Sequence, residues 1–263
     1  MSTLNQDLRV SYVQADLVWE DPIANCAQLE ESIQDLQGLT DIIILPEMFS
    51  TGFSMSAVGA EMASGPTVQW MKLQASRLQV MLIGSLKIKE SGQYYNRLLA
   101  VHPSGQIDSY DKRHLFAFAG EDQHFTAGNK RLIASVKGWK INLQICYDLR
   151  FPVWLRNDPS DPYDILLVVA SWPDKRALHW RTLVPARAIE NQSYVIAVNR
   201  VGHDGNEVFH SGGSMCIGPN GNVFYYKPND EDLYTFTISK EEIAKSRRIF
   251  PFLKDSDSFK LDI

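Results

Sequence analysis

Two stretches of this chain are apolar at every position, Ile42-Ile43-Ile44-Leu45 and Ile165-Leu166-Leu167-Val168-Val169-Ala170. They restrict the fold more than any other feature. A strand with one wetted face alternates apolar and polar residues, so an unbroken short run reads as a strand covered on both faces. Such strands belong to a layered α/β structure with helices outside the sheets. No linker interrupts the 263 residues, so residues 1–263 read as a single domain with a full hydrophobic core.

The remaining elements follow from period and punctuation. Residues 8–13 alternate and form a first strand. Pro22 opens a helix to residue 37, with Ile23, Cys26, Leu29, Ile33 and Leu36 on one face and Gly38 ending it; Pro66 opens another to about residue 78. A strand follows at 80–86, then a hairpin of 94–101 and 106–110 turning at Pro103-Ser104-Gly105. Residues 116–128 look irregular. A second hairpin, 132–136 with 139–145, leads to a short helix at 151–156. Residues 175–191 read as a long helix with Leu178, Leu183, Val184, Ala188 and Ile189 near one side. Strands at 194–199, 215–217, 223–225 and 233–238 and a helix at 240–247 complete the body. The tail, 249–263, carries Phe250, Phe252 and Phe259, apolar enough to require a surface on the body or on a second subunit.

Charge and cysteine usage narrow the function. A formal net charge of -5, with both signs interspersed, offers no footprint for nucleic acid or an anionic membrane, so small molecules are the expected partners. Cys26, Cys146 and Cys216 show no paired spacing, which speaks against a disulfide framework or zinc knuckle and for a reducing cytoplasm. Residues 1–7 lack a basic patch followed by an apolar core, and 165–173 is too short to span a bilayer, so a soluble, unexported protein is expected.

Three strand ends carry chemistry. The apolar positions Ile141, Leu143 and Ile145 lead into Cys146; the run 42–45 leads into Glu47; the first hairpin delivers Lys112. Alone, each has a plainer reading: a small buried hydrophobe, a surface carboxylate, a solvated loop cation like its neighbour Arg113. Together a thiol, an acid and a cation are what thiol-based acyl transfer requires. A cysteine is nucleophilic only as thiolate, so a base must take its proton or a cation must stabilise its charge. Glu47 and Lys112 can do both, and the N–H of Tyr147 can assist at an oxyanion.

The stretches Leu45-Pro46-Glu47, Tyr110-Asp111-Lys112-Arg113-His114-Leu115-Phe116 and Cys146-Tyr147-Asp148-Leu149-Arg150-Phe151-Pro152 resemble the nitrilase, or carbon–nitrogen hydrolase, superfamily, in the right order over nearly the whole chain. The resemblance implies a four-layer αββα sandwich, a Glu-Lys-Cys triad at Glu47, Lys112 and Cys146, and usually a homodimer joined face to face; no cofactor is expected. A second glutamate recurs in that family between the lysine and the cysteine, and Glu121 sits where it is expected, to orient Lys112 or the substrate; its rival reading is a plain loop carboxylate. Glu47-Met48-Phe49-Ser50-Thr51-Gly52-Phe53 and Ser171-Trp172-Pro173 look like the bacterial omega-amidases. Those enzymes hydrolyse the terminal amide of 2-oxoglutaramate and 2-oxosuccinamate, with water, to a 2-oxo acid and ammonia. Such a substrate carries a carboxylate, for which Arg150, Lys175 and Arg176 are the candidate cations; Arg150 also reads as a structural ion-pair partner. Phe53, Phe116, Tyr147 and Trp172 would wall a small pocket or else serve as core aromatics.

Rival readings are a Cys-His dyad, a nitrilase or carbamoylase, and a non-catalytic scaffold. The histidines show no HExxH or HxH grouping, so a metal site is not expected.

Overall fold

The two uniformly apolar runs lie inside two different sheets, each with a parallel neighbour on either side. The structure is a computed structural model that describes residues 7–261. Most of the stretch 1–7, read above as carrying no leader, and the end of the tail lie outside the described residues. In chain order the elements are β1 (Leu8–Gln14), α1 (Pro22–Ile33), β2 (Ile42–Ile44), α2 (Pro66–Leu78), β3 (Met81–Glu90), β4 (Gln93–Val101), β5 (Ile107–Asp111), α3 (Glu121–His124), β6 (Ile133–Val136), β7 (Trp139–Ile145), α4 (Pro152–Leu155), β8 (Ile165–Ala170), α5 (Ala177–Asn191), β9 (Tyr194–Asn199), β10 (Val201–His203), β11 (Phe209–Ile217), β12 (Val223–Pro228), β13 (Asp232–Ile238) and α6 (Lys240–Ile249).

One sheet runs β13-β1-β2-β3-β4-β5 and the other β10-β11-β9-β8-β7-β6, with β12 on β11. Val10, Ile42, Ile44 and Ile83 of the first sheet share one core with Ile141, Leu143 and Ile145 of the second. The opposite parity, Val13, Ile43 and Leu82, packs on Leu29, Ile33, Met71 and Leu78 of α1 and α2. On the second sheet, α5 lies against β9 and β11. The layers are helix, sheet, sheet, helix, the αββα order. Both faces of β2 are therefore apolar, and each such buried side chain contributes roughly 1.5–3 kcal/mol before conformational entropy is charged against it.

The differences from the sequence reading have local causes. α1 ends at Ile33 rather than residue 37, because turns at Leu36 and Leu39 replace its last turn. Its buried stripe is Asn25, Leu29 and Ile33, whereas Ile23 is exposed; the Asn25 amide is satisfied by the carbonyls of Val18 and Ser50. β3 extends to Glu90 and forms a hairpin with β4 through Ser91 and Gly92, both at positive φ, which the charged Lys87 to Glu90 had concealed. α5 buries Trp180, Val184, Arg187, Ala188 and Asn191, and leaves the expected Leu178 and Ile189 exposed. Residues 116–128 contain a 3-10 turn and the short α3. Their return is fixed by Gly128: its N–H donates to Lys112 O at 2.9 Å, and a Cβ there would meet Asp111 O at 2.2 Å. Of the tail, Leu253 is buried and its N–H reaches Gln192, while Phe250, Phe252 and Phe259 remain exposed.

Candidate active site

Lys112, Cys146 and Ser171 follow directly after β5, β7 and β8, and Glu47 lies three residues past the end of β2, so the architecture collects strand ends at one place between the sheets. The two corners that matter most are left-handed. Cys146 has φ 44 and Met48, just after Glu47, has φ 45. For a non-glycine residue that region costs about 1–2 kcal/mol, and it persists where surrounding contacts over-determine it. At Met48 the N–H donates to Ser85 Oγ at 2.8 Å.

The side chains of Glu47, Lys112 and Glu121 meet. Glu47 Oε1 accepts from Lys112 Nζ at 2.9 Å and from Asn96 Nδ2 at 2.8 Å, and Oε2 accepts from the Ser171 N–H at 2.8 Å. Lys112 Nζ also donates to Glu121 Oε1 and Oε2 at 3.0 and 2.9 Å. Glu121 further accepts from Asn96 at 3.1 Å and from the Phe116 N–H at 2.6 Å. The side chains of Glu47, Lys112 and Glu121 are all 0% exposed. Glu47 is thus fully desolvated, not the surface carboxylate of its plainer reading.

Burial alone would lower the Lys112 pKa, but Glu121, Glu47 and Cys146 outweigh it and hold the ammonium well above its ordinary value. Burial pushes Glu121 above the usual carboxylate range; Lys112 opposes this and Glu47 adds to it. Burial and then the Glu47 carboxylate push the Cys146 thiol well up, against the pull of Lys112 and the Ser171 N–H. At neutral pH the sulfur is therefore a thiol, poised beside a carboxylate that can take its proton.

Cys146, Lys112 and Ser171 line a cavity of about 930 Å³, larger than the small pocket expected. Phe53, Phe116, Tyr147 and Trp172 line it too, and so do Arg150, Lys175 and Arg176. The Phe53 ring lies 5.0 Å from Lys112 Nζ. Arg150 stacks on Trp172 at 4.8 Å and bonds His179 Nδ1 at 2.9 Å; Arg176 lies over Phe116 at 4.9 Å. Among the described residues neither arginine forms a salt bridge with a carboxylate, so the ion-pair reading of Arg150 is replaced by stacking. Burial lowers the Arg176 pKa, with Cys146 opposing and Arg150 adding to the effect. Lys175 is exposed. The cavity also extends to Trp19, Asn206, Phe209 and His210, a region the sequence did not suggest. Arg113 is not a solvated cation: it lies over Trp154 at 5.8 Å and bonds Gly128 O.

A third buried carboxylate holds the turn that carries Cys146. Asp148 Oδ1 accepts from the His114 N–H and Nδ1 at 2.9 and 2.8 Å. Its Oδ2 accepts from Tyr110 Oη and the Ile145 N–H at 2.8 and 3.1 Å. Asp148 thus joins the end of β7 to the segment that carries Lys112. From the other side Arg187 donates twice to Leu149 O, at 3.0 and 2.8 Å. No histidine hydrogen-bonds Cys146 among the described residues; His114 is held by Asp148 and stacked on Phe151 at 3.7 Å.

The family model for carbon–nitrogen hydrolases matches residues 9–248. This chain belongs to the carbon–nitrogen hydrolase family. The hydrolase is 40% identical over 259 residues to omega-amidase YafV of Escherichia coli strain K12, covering 97% of this chain and 98% of that relative. It is 32% identical over 251 residues to the 2-oxoglutaramate amidase of Bacillus subtilis strain 168, covering 94% and 96%. A solved CN-hydrolase superfamily protein of Xanthomonas campestris, with an arsenic adduct in its active site, matches at a TM-score of 0.95 and 44% identity, covering 97% of this chain and 99% of that one. The hydrolase acts on carbon–nitrogen amide bonds.

Reading the sequence alone missed Asn96, Asp148 and the backbone of Ser171 as parts of this site. Asn96 did leave a signal. It shares the inward parity of Leu98 and Ala100 in β4, and a polar residue in an apolar row calls for partners.

Proposed function

We propose that this hydrolase is an omega-amidase that converts 2-oxo dicarboxylic acid monoamides, such as 2-oxoglutaramate and 2-oxosuccinamate, to the 2-oxo acid and ammonia. The observation that carries the reading is the cavity itself. It joins a thiol beside a buried carboxylate to two arginines that form no salt bridge with a carboxylate among the described residues, which suits a substrate with an amide at one end and a carboxylate at the other.

In the proposed cycle Glu47 takes the Cys146 proton as sulfur attacks the amide carbon. The carbonyl oxygen becomes an oxyanion, and when it collapses the C–N bond breaks. Nitrogen receives the proton from Glu47 and leaves as ammonia, giving a thioester. Water, deprotonated by Glu47, attacks the thioester carbon; the C–S bond breaks, sulfur regains the proton and the acid departs. In the resting arrangement Lys112 has three acceptor oxygens for its three N–H groups. It therefore serves the oxyanion by its field, while the Tyr147 N–H, in the first turn after β7 where N–H groups lack helical partners, donates directly. Glu121 orients Lys112. Arg176 and Arg150 receive the distal carboxylate, and Phe53, Phe116, Tyr147 and Trp172 exclude water.

The test is ammonia release from 2-oxoglutaramate, 2-oxosuccinamate, ureido acids and nitriles. Activity confined to the last two classes, or persisting in Cys146→Ala, would overturn the proposal.

We further propose that residues 1–263 work as one hydrolase unit in the cytoplasm, a setting supported by three unpaired cysteines, and as a homodimer. Exposed Phe250 and Phe252 on the tail and Leu178 and Ile189 on α5 support a partner surface. Light scattering on a sizing column tests the dimer, and a monomer at micromolar concentration would refute it.

A further inference from the structure

Asn96 is fully buried on the inward face of β4, and its Nδ2 reaches two different carboxylates, Glu47 Oε1 at 2.8 Å and Glu121 Oε1 at 3.1 Å. Lys112 Nζ bridges the same two oxygens at 2.9 and 3.0 Å. Glu47 Oε1 is thereby held twice. Only Oε2, bound by the Ser171 N–H at 2.8 Å, is left to handle a proton. The terminal torsion of a glutamate is broad and roughly two-fold, so its oxygens exchange unless something fixes the carboxylate plane. A second cation could fix it, but would suppress the basicity that Glu47 needs. An amide carries no net charge, so it fixes the plane with a smaller effect on that basicity, and its two N–H bonds match the two acceptors.

We infer that Asn96 is a positioning residue that reserves Glu47 Oε2 for proton transfer with Cys146 and holds Glu121 on the far side of Lys112. The inference rests on Glu47 acting as the base proposed above. Asn96 does not line the cavity; it acts through Glu47. The titratable groups facing the two carboxylates are Lys112 after β5 and Cys146 after β7, with Arg176 next beyond the sulfur; the Ser171 and Phe116 N–H groups complete the shell.

The experiment compares the pH profile of kcat/KM for ammonia release in the unsubstituted enzyme, Asn96→Ala and Asn96→Ser, with circular dichroism and melting to establish folding. Losing N–H donors raises the pKa of the carboxylates they stabilise, so in Asn96→Ala the acid limb moves up by about one pH unit. The kcat falls on the order of 10²-fold while KM stays within about threefold, because orientation and not substrate contact is lost. Asn96→Ser, which keeps one donor, recovers part of both. A folded Asn96→Ala with the acid limb unmoved, or with its loss confined to KM, overturns the inference. If Asn96→Ala does not fold, Asn96→Ser is read alone, and an unmoved limb overturns it. If the unsubstituted enzyme releases no ammonia, the amidase reading fails separately. The pH dependence of Cys146 alkylation by iodoacetamide then takes the place of turnover: Asn96→Ala moves its midpoint, and an unmoved midpoint overturns the inference.

Discussion

Asp148→Asn isolates the link between the Cys146 corner and the lysine segment. The substitution keeps shape but replaces one carboxylate oxygen by an NH2 group, and all four contacts to Asp148 come from donors: two from His114, one from Tyr110, one from Ile145. With the NH2 toward Ile145, Tyr110 can turn its hydroxyl to Gln144 Oε1, 3.1 Å away, but the Ile145 N–H, which donates to that position, then faces another donor. One buried N–H left without an acceptor costs about 1–3 kcal/mol, and the remaining bonds lose their charge assistance, roughly another 1 kcal/mol. The sum, about 2–4 kcal/mol, lowers the melting temperature on the order of 10 °C for a chain of this size. Because Ile145 precedes the left-handed Cys146, kcat falls about 10²-fold as the sulfur loses its alignment. Differential scanning calorimetry and steady-state kinetics on 2-oxoglutaramate read both effects. A melting temperature within about 1 °C of the parent, together with parental kcat, would show that the turn is held by something else.

Further expectations concern the reacting groups. Cys146→Ala and Glu47→Gln each reduce ammonia release by at least ~10⁴-fold, and a small decrease in either would remove that residue from the proposed cycle. Because the Glu47 carboxylate helps to raise the Cys146 pKa, Glu47→Gln shifts iodoacetamide alkylation to lower pH while abolishing turnover; a shift to higher pH contradicts the assigned electrostatics. Arg176→Ala raises KM for 2-oxoglutaramate by about 10–100-fold, the range for one charged hydrogen bond, and leaves an uncharged amide of similar length unaffected. Equal losses on both substrates would assign Arg176 a structural role.

What the sequence disclosed and what it withheld divide along physical lines. That Glu47, Lys112 and Cys146 would converge was legible because Glu47 and Cys146 stand just past apolar strands and a hairpin delivers Lys112, and a strand end in a layered sheet is an exit toward a cleft. Asp148 was not, since an acid one turn past a strand looks like any solvated turn residue until Tyr110 and His114, far back in the chain, are brought to it. The buried side of α5 was misread for a related reason. Arg187 takes an interior position because Leu149 O receives its guanidinium, while Leu178 and Ile189, apolar by type, face outward. The corners at Met48 and Cys146 carry no glycine to announce a positive φ; only contacts such as Ser85 with Met48 make that backbone tolerable.

Those two corners place the proposed nucleophile, and the residue after the proposed base, among the left-handed non-glycine joints of the chain. Because the sheets do not need them for their own cohesion, gentle warming should slacken the corners while both sandwich layers stay closed, and ammonia production should fade before any bulk melting signal appears. Engineering for heat tolerance would then gain little from a firmer core and more from extra ties around residues 48 and 146.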